Sequence, residues 1–428
     1  MGRRLSGVSR GIGERALRPL PEAQQEVLEA VPVLPVVSVP LIEASGLVLA
    51  EPVVAPHDVP PFSNSAMDGY AVRAVDVQEA PVTLEVVEDL PAGYVATSMV
   101  GPGTAVKIMT GAPIPGGADA VVQVEGTELR DGKVLIRSAV VAGTNVRAAG
   151  GDVAAGTRVF GAGERLGAAH LGVLASLGVG YPVVRRRPRV AILSTGDEVM
   201  SPDVAELQPG QIRDTNRMVL NSLLEELGAE VVDLGIVRDD ADLLGATLDR
   251  AAGEADAIIA SGGVSMGEYD LVKSVLRGLG QINFWQVAMQ PGKPFAFGLL
   301  SGTPFFGLPG NPVSVMVAFE QFARPALLHM MGAANLFRPR VRGRMLQSVA
   351  TSPDKVVFLR VNAGLDDAGR WVAGLSGGQL SNMLSAMAHG NAFAVIPVGT
   401  GTVDAGDEVD LEMFTWPETR TKDEVLHG

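Results

Sequence analysis

The sequence predicts a multidomain α/β plus β protein, and three observations carry that reading. At 428 residues the chain is too long for one ordinary core, since a domain takes roughly 150 residues. From Val183 to about Gly332, apolar strands alternate with amphipathic helices, the pattern of a doubly wound parallel sheet. From Val59 to Val141, and again from Met345 to Phe414, short valine-rich runs are punctuated by glycine and proline turns, as in small β domains.

In chain order, residues 1–20 are arginine-rich without an apolar stretch, so they read as a poorly ordered tail rather than a secretory signal. Pro21 opens a short helix over Glu22–Val31, at a position where its missing N–H costs nothing. The prolines of Val31–Pro40 enforce extended chain, and Ser45-Gly46 marks a turn. In the first β region, Asp131-Gly132 between alternating segments is a hairpin signal. A helix over Ala168–Leu177 follows. The α/β region then gives strand Val190–Leu193, helix Arg217–Leu227, strand Glu230–Leu234, helix Ala241–Ala252, strand Ala257–Ala260, a helix over Leu271–Leu279, strand Phe305–Leu308 and one long helix, Pro312–Met331. The last β region is most simply a small barrel or sandwich.

Composition narrows the function. Hydrophobic residues at 47% and charged residues at 19% describe a globular chain. A net charge of −14 argues against a general nucleic-acid surface, so an anionic ligand needs a local cluster, and divalent cations suit the balance better. The absence of cysteine removes disulfides, thiolate zinc sites, iron–sulfur clusters and a cysteine nucleophile. No apolar run approaches the ~20 residues that span a bilayer, so a soluble cytoplasmic protein is expected.

The densest chemistry lies at Ser261–Asp270, SGGVSMGEYD, between a strand and a helix. Ligands of open α/β sheets bind beyond the carboxyl ends of the strands, where a helix offers free N–H groups. Gly262, Gly263 and Gly267 admit close approach, Ser261 and Ser265 can hydrogen-bond, and Glu268 and Asp270 add carboxylates. Gly263 to Gly267 also spells the G-x-S-x-G elbow of serine hydrolases, but five histidines in the chain leave that reading few candidate bases.

Other strand ends add Ser194-Thr195-Gly196-Asp197-Glu198, Asp239-Asp240 and Pro309-Gly310-Asn311, with Asn311 placed to cap the long helix. Gln290-Pro291-Gly292-Lys293-Pro294 is a turn aiming one cation. Carboxylates plus a lysine suit a Mg²⁺-bridged phosphate, although Asp239-Asp240 could equally cap the next helix and Lys293 could be a surface charge. There is no Walker A motif and no G-x-G-x-x-G. In the first β region, nothing in packing requires Asn64, Asp68 or Thr110.

Together NSAMDGYAVR (Asn64–Arg73), IMTGAPIPGGADAVV (Ile108–Val122), STGDEV, DTNRMVL, GIVRDD, SGGVSMGEYD, QPGKPFAFG and GLPGNPVS resemble the molybdopterin molybdenumtransferase family, MoeA in bacteria and the E domain of gephyrin and its plant relatives. The resemblance covers about residues 20–415. It implies four parts: a discontinuous elongated N-terminal domain (14–58 and 142–182), a small β domain (59–141), a central doubly wound, MogA-like α/β domain that binds molybdopterin (183–336) and a C-terminal β-barrel (337–428). It also implies a homodimer with a cleft shared between subunits, and a reaction of adenylylated molybdopterin with molybdate and Mg²⁺ to give molybdenum cofactor and AMP. A molybdopterin adenylyltransferase and apo-molybdoenzymes are the further partners it suggests.

By motif, the implied catalytic positions are Asp68, Thr110, Asp152, Glu198, Asp239, Asp270, Lys293, Arg360 and Ser381, with Glu198, Asp239 and Asp270 on the metal. Lys293, Arg360 and Ser381 would bind the oxyanion. The implied molybdopterin-binding positions are Ser194, Thr195, Gly196, Asp214, Asn216, Ser261, Gly262, Gly263, Ser265, Gly267, Pro291, Gly292, Pro309, Gly310, Asn311 and Ser314. Two departures bear on anion binding: Gln286 and Gln290 stand where relatives often carry lysine. The alternatives are an adenylyltransferase, which would leave Asp68 and Thr110 without a role, and a non-catalytic scaffold, against which the full set of acids argues.

Overall fold

The computed structural model describes residues 17–262 and 271–418, and these form two compact units. One comprises 38–45 and 49–183, the other 17–37, 46–48 and 184–418. The expected tail falls outside the described residues up to 16. Order begins earlier than expected, because Leu20 already opens helix α1 (Leu20–Ala30), with Pro21 in its first turn. Leu20, Ala23 and Val27 recur on one face and are buried.

The smaller unit is built on a six-stranded sheet. Its strands are β1 (Gly69–Val72), β2 (Val82–Leu90), β3 (Thr104–Ile108), β4 (Ala120–Gln123), β5 (Thr127–Arg130) and β6 (Lys133–Ile136), in the order β4-β1-β3-β2-β6-β5. The β5–β6 hairpin turns on Asp131 and Gly132, both at positive φ, as its two-residue connection requires. Beyond the sheet the chain doubles back on itself: Val53–Val54 lies opposite Arg158–Phe160, Val59 bridges Val153, and Asn64–Ser65 lies opposite Val146–Arg147. Helix α2 (Ala168–Ser176) follows.

The larger unit carries a six-stranded mixed sheet. Its strands are β7 (Arg189–Thr195), β8 (Glu230–Val237), β9 (Ala257–Ser261), β10 (Gly280–Gln286), β11 (Pro294–Leu300) and β12 (Thr303–Leu308), in the order β8-β7-β9-β12-β11-β10. The first four are parallel, as expected. The antiparallel pair β10–β11 extends the sheet where the sequence reading saw only the turn at 290–294. Helices α3 (Asn216–Leu227), α4 (Ala241–Glu254) and α5 (Leu271–Leu279) connect the strands.

Side chains alternate across the sheet. Val190, Ile192, Ile259 and Phe306 join Leu220 and Leu224 of α3 in one core. Ala191, Leu193, Ile258 and Phe305 join Leu244 and Leu248 of α4 in the other. Burial on both faces explains why these strands read as continuous apolar runs.

The expected long helix Pro312–Met331 is three pieces: α6 (Pro312–Ala318), a π turn (Phe319–Ala323) and α7 (Arg324–Met330). All five π-turn residues are buried, Glu320 and Gln321 included. Glu320 takes both ends of the Arg338 guanidinium at 2.9 and 3.0 Å, and Gln321 Nε2 donates to Glu412 Oε1 at 2.6 Å.

The choice between barrel and sandwich resolves to a barrel. Strands β13 (Arg340–Met345), β14 (Val356–Leu365), β15 (Trp371–Leu375), β16 (Ala392–Ile396) and β17 (Glu408–Met413) close a five-membered circuit, β14-β15-β13-β17-β16-β14, around Leu359, Val361, Ala394 and Leu411. Met289 and Gln290 pair with Val356 and Val357, so the 290–294 turn abuts β14.

Candidate active site

The carboxyl ends of β7, β9 and β12 meet at the start of α3. Ser194 and Asp214 are both buried, and Ser194 Oγ donates to Asp214 Oδ1 at 2.9 Å. Arg217 closes the other side of that carboxylate, its Nε donating to Oδ2 at 2.9 Å and its backbone N–H to Oδ1 at 3.1 Å, and it also pairs with Asp233. Asn216 Nδ2 donates to Ser261 Oγ and to the Gly310 carbonyl, each at 2.7 Å, thereby tying the ends of β9 and β12 together. Ser261 Oγ approaches the Pro309 carbonyl at 3.5 Å. Gly262 sits at φ 95°, and a Cβ there would lie 2.6 Å from the Thr195 carbonyl, so only glycine lets the chain pass. Gly196, at φ 134°, likewise leaves room for Glu198, whose carboxylate a Cβ would meet at 2.6 Å.

The acids divide by role. Asp240 caps α4, accepting the Leu243 N–H at 2.9 Å. Its neighbour Asp239 does not cap. Burial, then the charges of Asp197 and Glu198, push the Asp239 carboxyl above its usual pKa, and its N–H donates to Asp197 Oδ1 at 3.3 Å. Asp197 therefore belongs to the cluster although its motif neighbour Glu198 drew the attention. Gly263, Ser265, Gly267 and Asp270 lie outside the described residues. Among the described residues no three acidic or histidine groups form a ready metal cage.

A second cluster joins the barrel to the 290–294 turn and α6. Arg360, on β14, is 1% exposed and faces no carboxylate among the described residues. Its Nη2 donates to the carbonyls of Gly378 and Leu380 at 2.9 and 3.1 Å, while Nε has no partner among the described residues. Burial pulls the guanidinium down to about 10, so it is still a cation at neutral pH. Gln379 holds the backbone of Arg360, accepting its N–H at 2.9 Å and donating to its carbonyl at 3.1 Å. A cavity of about 290 Å³ opens here, lined by Gln290, Pro291, Thr351, Ser352, Arg360 and Gln379.

Ser381 corrects the capping expectation. Asn311 makes no side-chain cap of α6; its Nδ2 donates to Ser381 Oγ at 2.9 Å, and the Ser381 carbonyl accepts the Val313 N–H at 3.2 Å. Ser314 is buried. Gly292 is at φ 98°. Lys293 is exposed, and its carbonyl accepts the Val287 N–H.

In the smaller unit Asp68 and Thr110 form a pair. Asp68 Oδ1 accepts the Thr110 N–H and the Thr110 hydroxyl, both at 2.7 Å, and these bonds, the backbone one first, hold the carboxyl below its usual pKa. The pairing of β1 with β3 makes this geometry, while on its other side β1 runs close against β4 at Gly69, where a Cβ would sit 1.9 Å from the Val122 carbonyl. Asp152 is exposed in the returning segment, its N–H bonded to the Val59 carbonyl. Sequence reasoning named Asp197 in the strand-end run without giving it a role of its own, and missed Arg217 and Gln379. Arg217 stands beside a residue it named, and Gln379 carries no local signal.

Comparison with known proteins agrees along the chain. The MoeA N-terminal region (domain I and II) matches residues 18–178, a probable molybdopterin binding domain matches 191–329, and the MoeA C-terminal region (domain IV) matches 342–414. Fold and matches together define a multidomain enzyme of molybdenum cofactor biosynthesis, of the transferase class. The chain is similar to molybdopterin molybdenumtransferase 2 of Mycobacterium tuberculosis, 43% identical over 92% of this chain and 99% of that one. It is also similar to the Haemophilus influenzae molybdopterin molybdenumtransferase, 40% identical over 87% and 93%. The crystal structure of a Pyrococcus horikoshii MoeA protein superposes with a TM-score of 0.79 at 30% identity, covering 93% of this chain and all of that one. The chain belongs to the molybdopterin molybdenumtransferase family.

Proposed function

We propose that this enzyme takes adenylylated molybdopterin and molybdate, with Mg²⁺, to molybdenum cofactor and AMP. The observation that carries the reading is Arg360: a buried guanidinium with no carboxylate partner among the described residues, beside a cavity that Gln290, Thr351, Ser352 and Gln379 help to line, is a receptor for an oxyanion. Gln290 on the same wall supplies hydrogen bonds without charge, so Arg360 carries most of the attraction there. Ser381, held at the start of α6, and Lys293 complete the oxyanion set implied by the motifs.

The strand-end crevice suits the pterin and its phosphates. Glu198 and Asp239, with Asp270, would hold Mg²⁺, for which carboxylate oxygens are apt ligands, and the Asp239 carboxyl, raised first by burial and then by the charges of Asp197 and Glu198, is one whose ionised form a cation would favour. Mg²⁺ held there would supply neutralisation of the phosphate charge. Asp68, kept ionised by Thr110, orients the reacting end or its water. We further read the working form as a cytoplasmic homodimer in which the Asp68–Thr110 pair of one protomer serves the partner. Inactive Asp68→Asn and Asp239→Asn proteins should then regain activity when mixed as heterodimers.

The test is AMP release from adenylylated molybdopterin. It should require both molybdate and Mg²⁺, fall steeply in Asp239→Asn and need far more molybdate in Arg360→Met, while the nucleotide still binds. Release indifferent to molybdate would overturn the reading, and binding without cleavage would point to a scaffold.

A further inference from the structure

Two buried polar atoms at the strand ends are left unmatched. Thr195 Oγ1 and Asn216 Oδ1 have no hydrogen-bond partner among the described residues, and Thr195 is only 5% exposed. The Asn216 amide cannot be turned around to relieve this, because its other end faces the Gly310 carbonyl, which accepts and cannot donate. Both Nδ2 bonds, to Gly310 and Ser261, are thus fixed, and Oδ1 is left as a pure acceptor. An orphaned acceptor attracts an N–H or O–H, not an anion.

Thr195 supplies the complement. Its hydroxyl lies beside the Gly262 backbone, since a Cβ built on that glycine would stand 3.0 Å from Oγ1. Ser194, next to Thr195, is registered opposite Ser261, the residue that Asn216 holds. The strand ends therefore present one acceptor and one hydroxyl around the glycine that keeps the backbone low.

We propose that Asn216 and Thr195 are specificity-determining residues that read the amine-bearing edge of the ligand's heterocycle. The exocyclic amine donates to Asn216 Oδ1, and the adjacent ring nitrogen accepts from the Thr195 hydroxyl. An amine beside a ring nitrogen occurs in both the aminopyrimidinone of a pterin and the adenine of an adenylyl group, so the shared chemistry is an amidine-like donor–acceptor edge. The inference rests on the proposed function, which places both groups in one substrate.

Calorimetric titration of the full chain with two ligand pairs separates the sources: 6-hydroxymethylpterin against its 2-deamino analogue, and AMP against purine riboside monophosphate, which lacks the amine. In one pair the amine should improve affinity by about tenfold or more. That ratio should fall to near one in Asn216→Ala and be reduced in Thr195→Val, a variant that leaves the Asn216 bridges in place, with thermal melting confirming that both are folded. The pair that discriminates identifies which heterocycle is read. Ratios near one in both pairs for the unmodified protein, as when a water satisfies Oδ1, would overturn the inference, as would a ratio that survives Asn216→Ala. If no ligand of either pair binds, the proposed function fails first and takes this inference with it.

Discussion

The two ends of the parallel sheet treat charge in opposite ways. At the amino ends of β7 and β9, Arg186 forks onto Asp256 with two 2.5 Å bonds, the Arg189 N–H adds a third at 2.8 Å, and Arg189 Nε meets Glu230 at 2.9 Å. Burial alone would raise the Asp256 pKa, but the bonds and charges of Arg186 and Arg189 together outweigh it and the carboxyl is held low. At the carboxyl ends Asp239 is raised by burial and by Asp197 and Glu198, and Thr195 Oγ1 and Asn216 Oδ1 are unmatched. The same strands thus close their polar groups against one another at one end and leave them open at the other. Closed groups hold the fold, whereas open ones wait for a ligand.

Exchanging the two kinds of carboxylate is the sharpest way to break this contrast. Asp239→Asn should lower molybdate-dependent AMP release by about 100-fold or more while leaving the melting temperature equal or raised, since the fold disfavours this carboxylate in its ionised form. Asp256→Asn should do the reverse, costing about 2–3 kcal/mol in denaturant unfolding by stranding Arg186, with turnover retained. A stability loss at Asp239 equal to that at Asp256 would erase the distinction.

The arginines repeat the contrast in the barrel region. Burial opposes the charge of Arg338, but Glu320 and Glu226 together more than compensate and the Arg338 pKa rises, so Arg338→Met should leave the buried Glu320 with only Arg324 among the described residues, at 3.7 Å, and destabilise by up to about 3 kcal/mol. Among the described residues Arg360 has no such partner. Arg360→Met should leave stability equal or improved and raise the KM for molybdate by about 10- to 100-fold, the loss of charged hydrogen bonds. Unchanged KM with lost stability would make Arg360 a structural residue.

A smaller effect is expected at Asp68. Its lowered pKa means that the fold favours the ionised form. This contribution is present above the ordinary carboxylate range and is lost as pH falls through the lowered folded value. Thr110→Val removes the hydroxyl bond and keeps the larger backbone one, so the NMR titration of Asp68 and the acid limb of activity should both move to higher pH, but only partway. The smallest change is expected from Asn311→Ala, which frees Ser381 Oγ but leaves its carbonyl on the Val313 N–H.

Much of this was legible in sequence because the signals are local. The strand β9 and helices α3 and α4 follow from apolar periodicity, and Asp131-Gly132 specified a hairpin by its φ demands. The antiparallel β10–β11 pair was not read, because Pro291 and Pro294 suggested a turn while the pairing depends on Gly298, where a Cβ would meet the Gln281 carbonyl at 2.0 Å. The motif residues Asp68 and Thr110 stood out as polar residues without a packing role. Gln379 did not, because its task, holding the Arg360 backbone, exists only once the barrel closes. The unmatched state of Arg360 is equally invisible in one dimension, since sequence lists charges without saying which of them meet.

The π turn at Phe319–Ala323 makes chain length count for more than composition in this part of the protein. It is one residue wider than an α turn, and each residue of an α-helix turns the axis by about 100°. Deleting a single residue there would restore regular geometry locally and swing everything beyond it by that angle, carrying Ala326, Leu327 and Met330 off the core and Glu320 away from Arg338. Substitutions that keep the size of these side chains should be absorbed, whereas an indel of one codon should not.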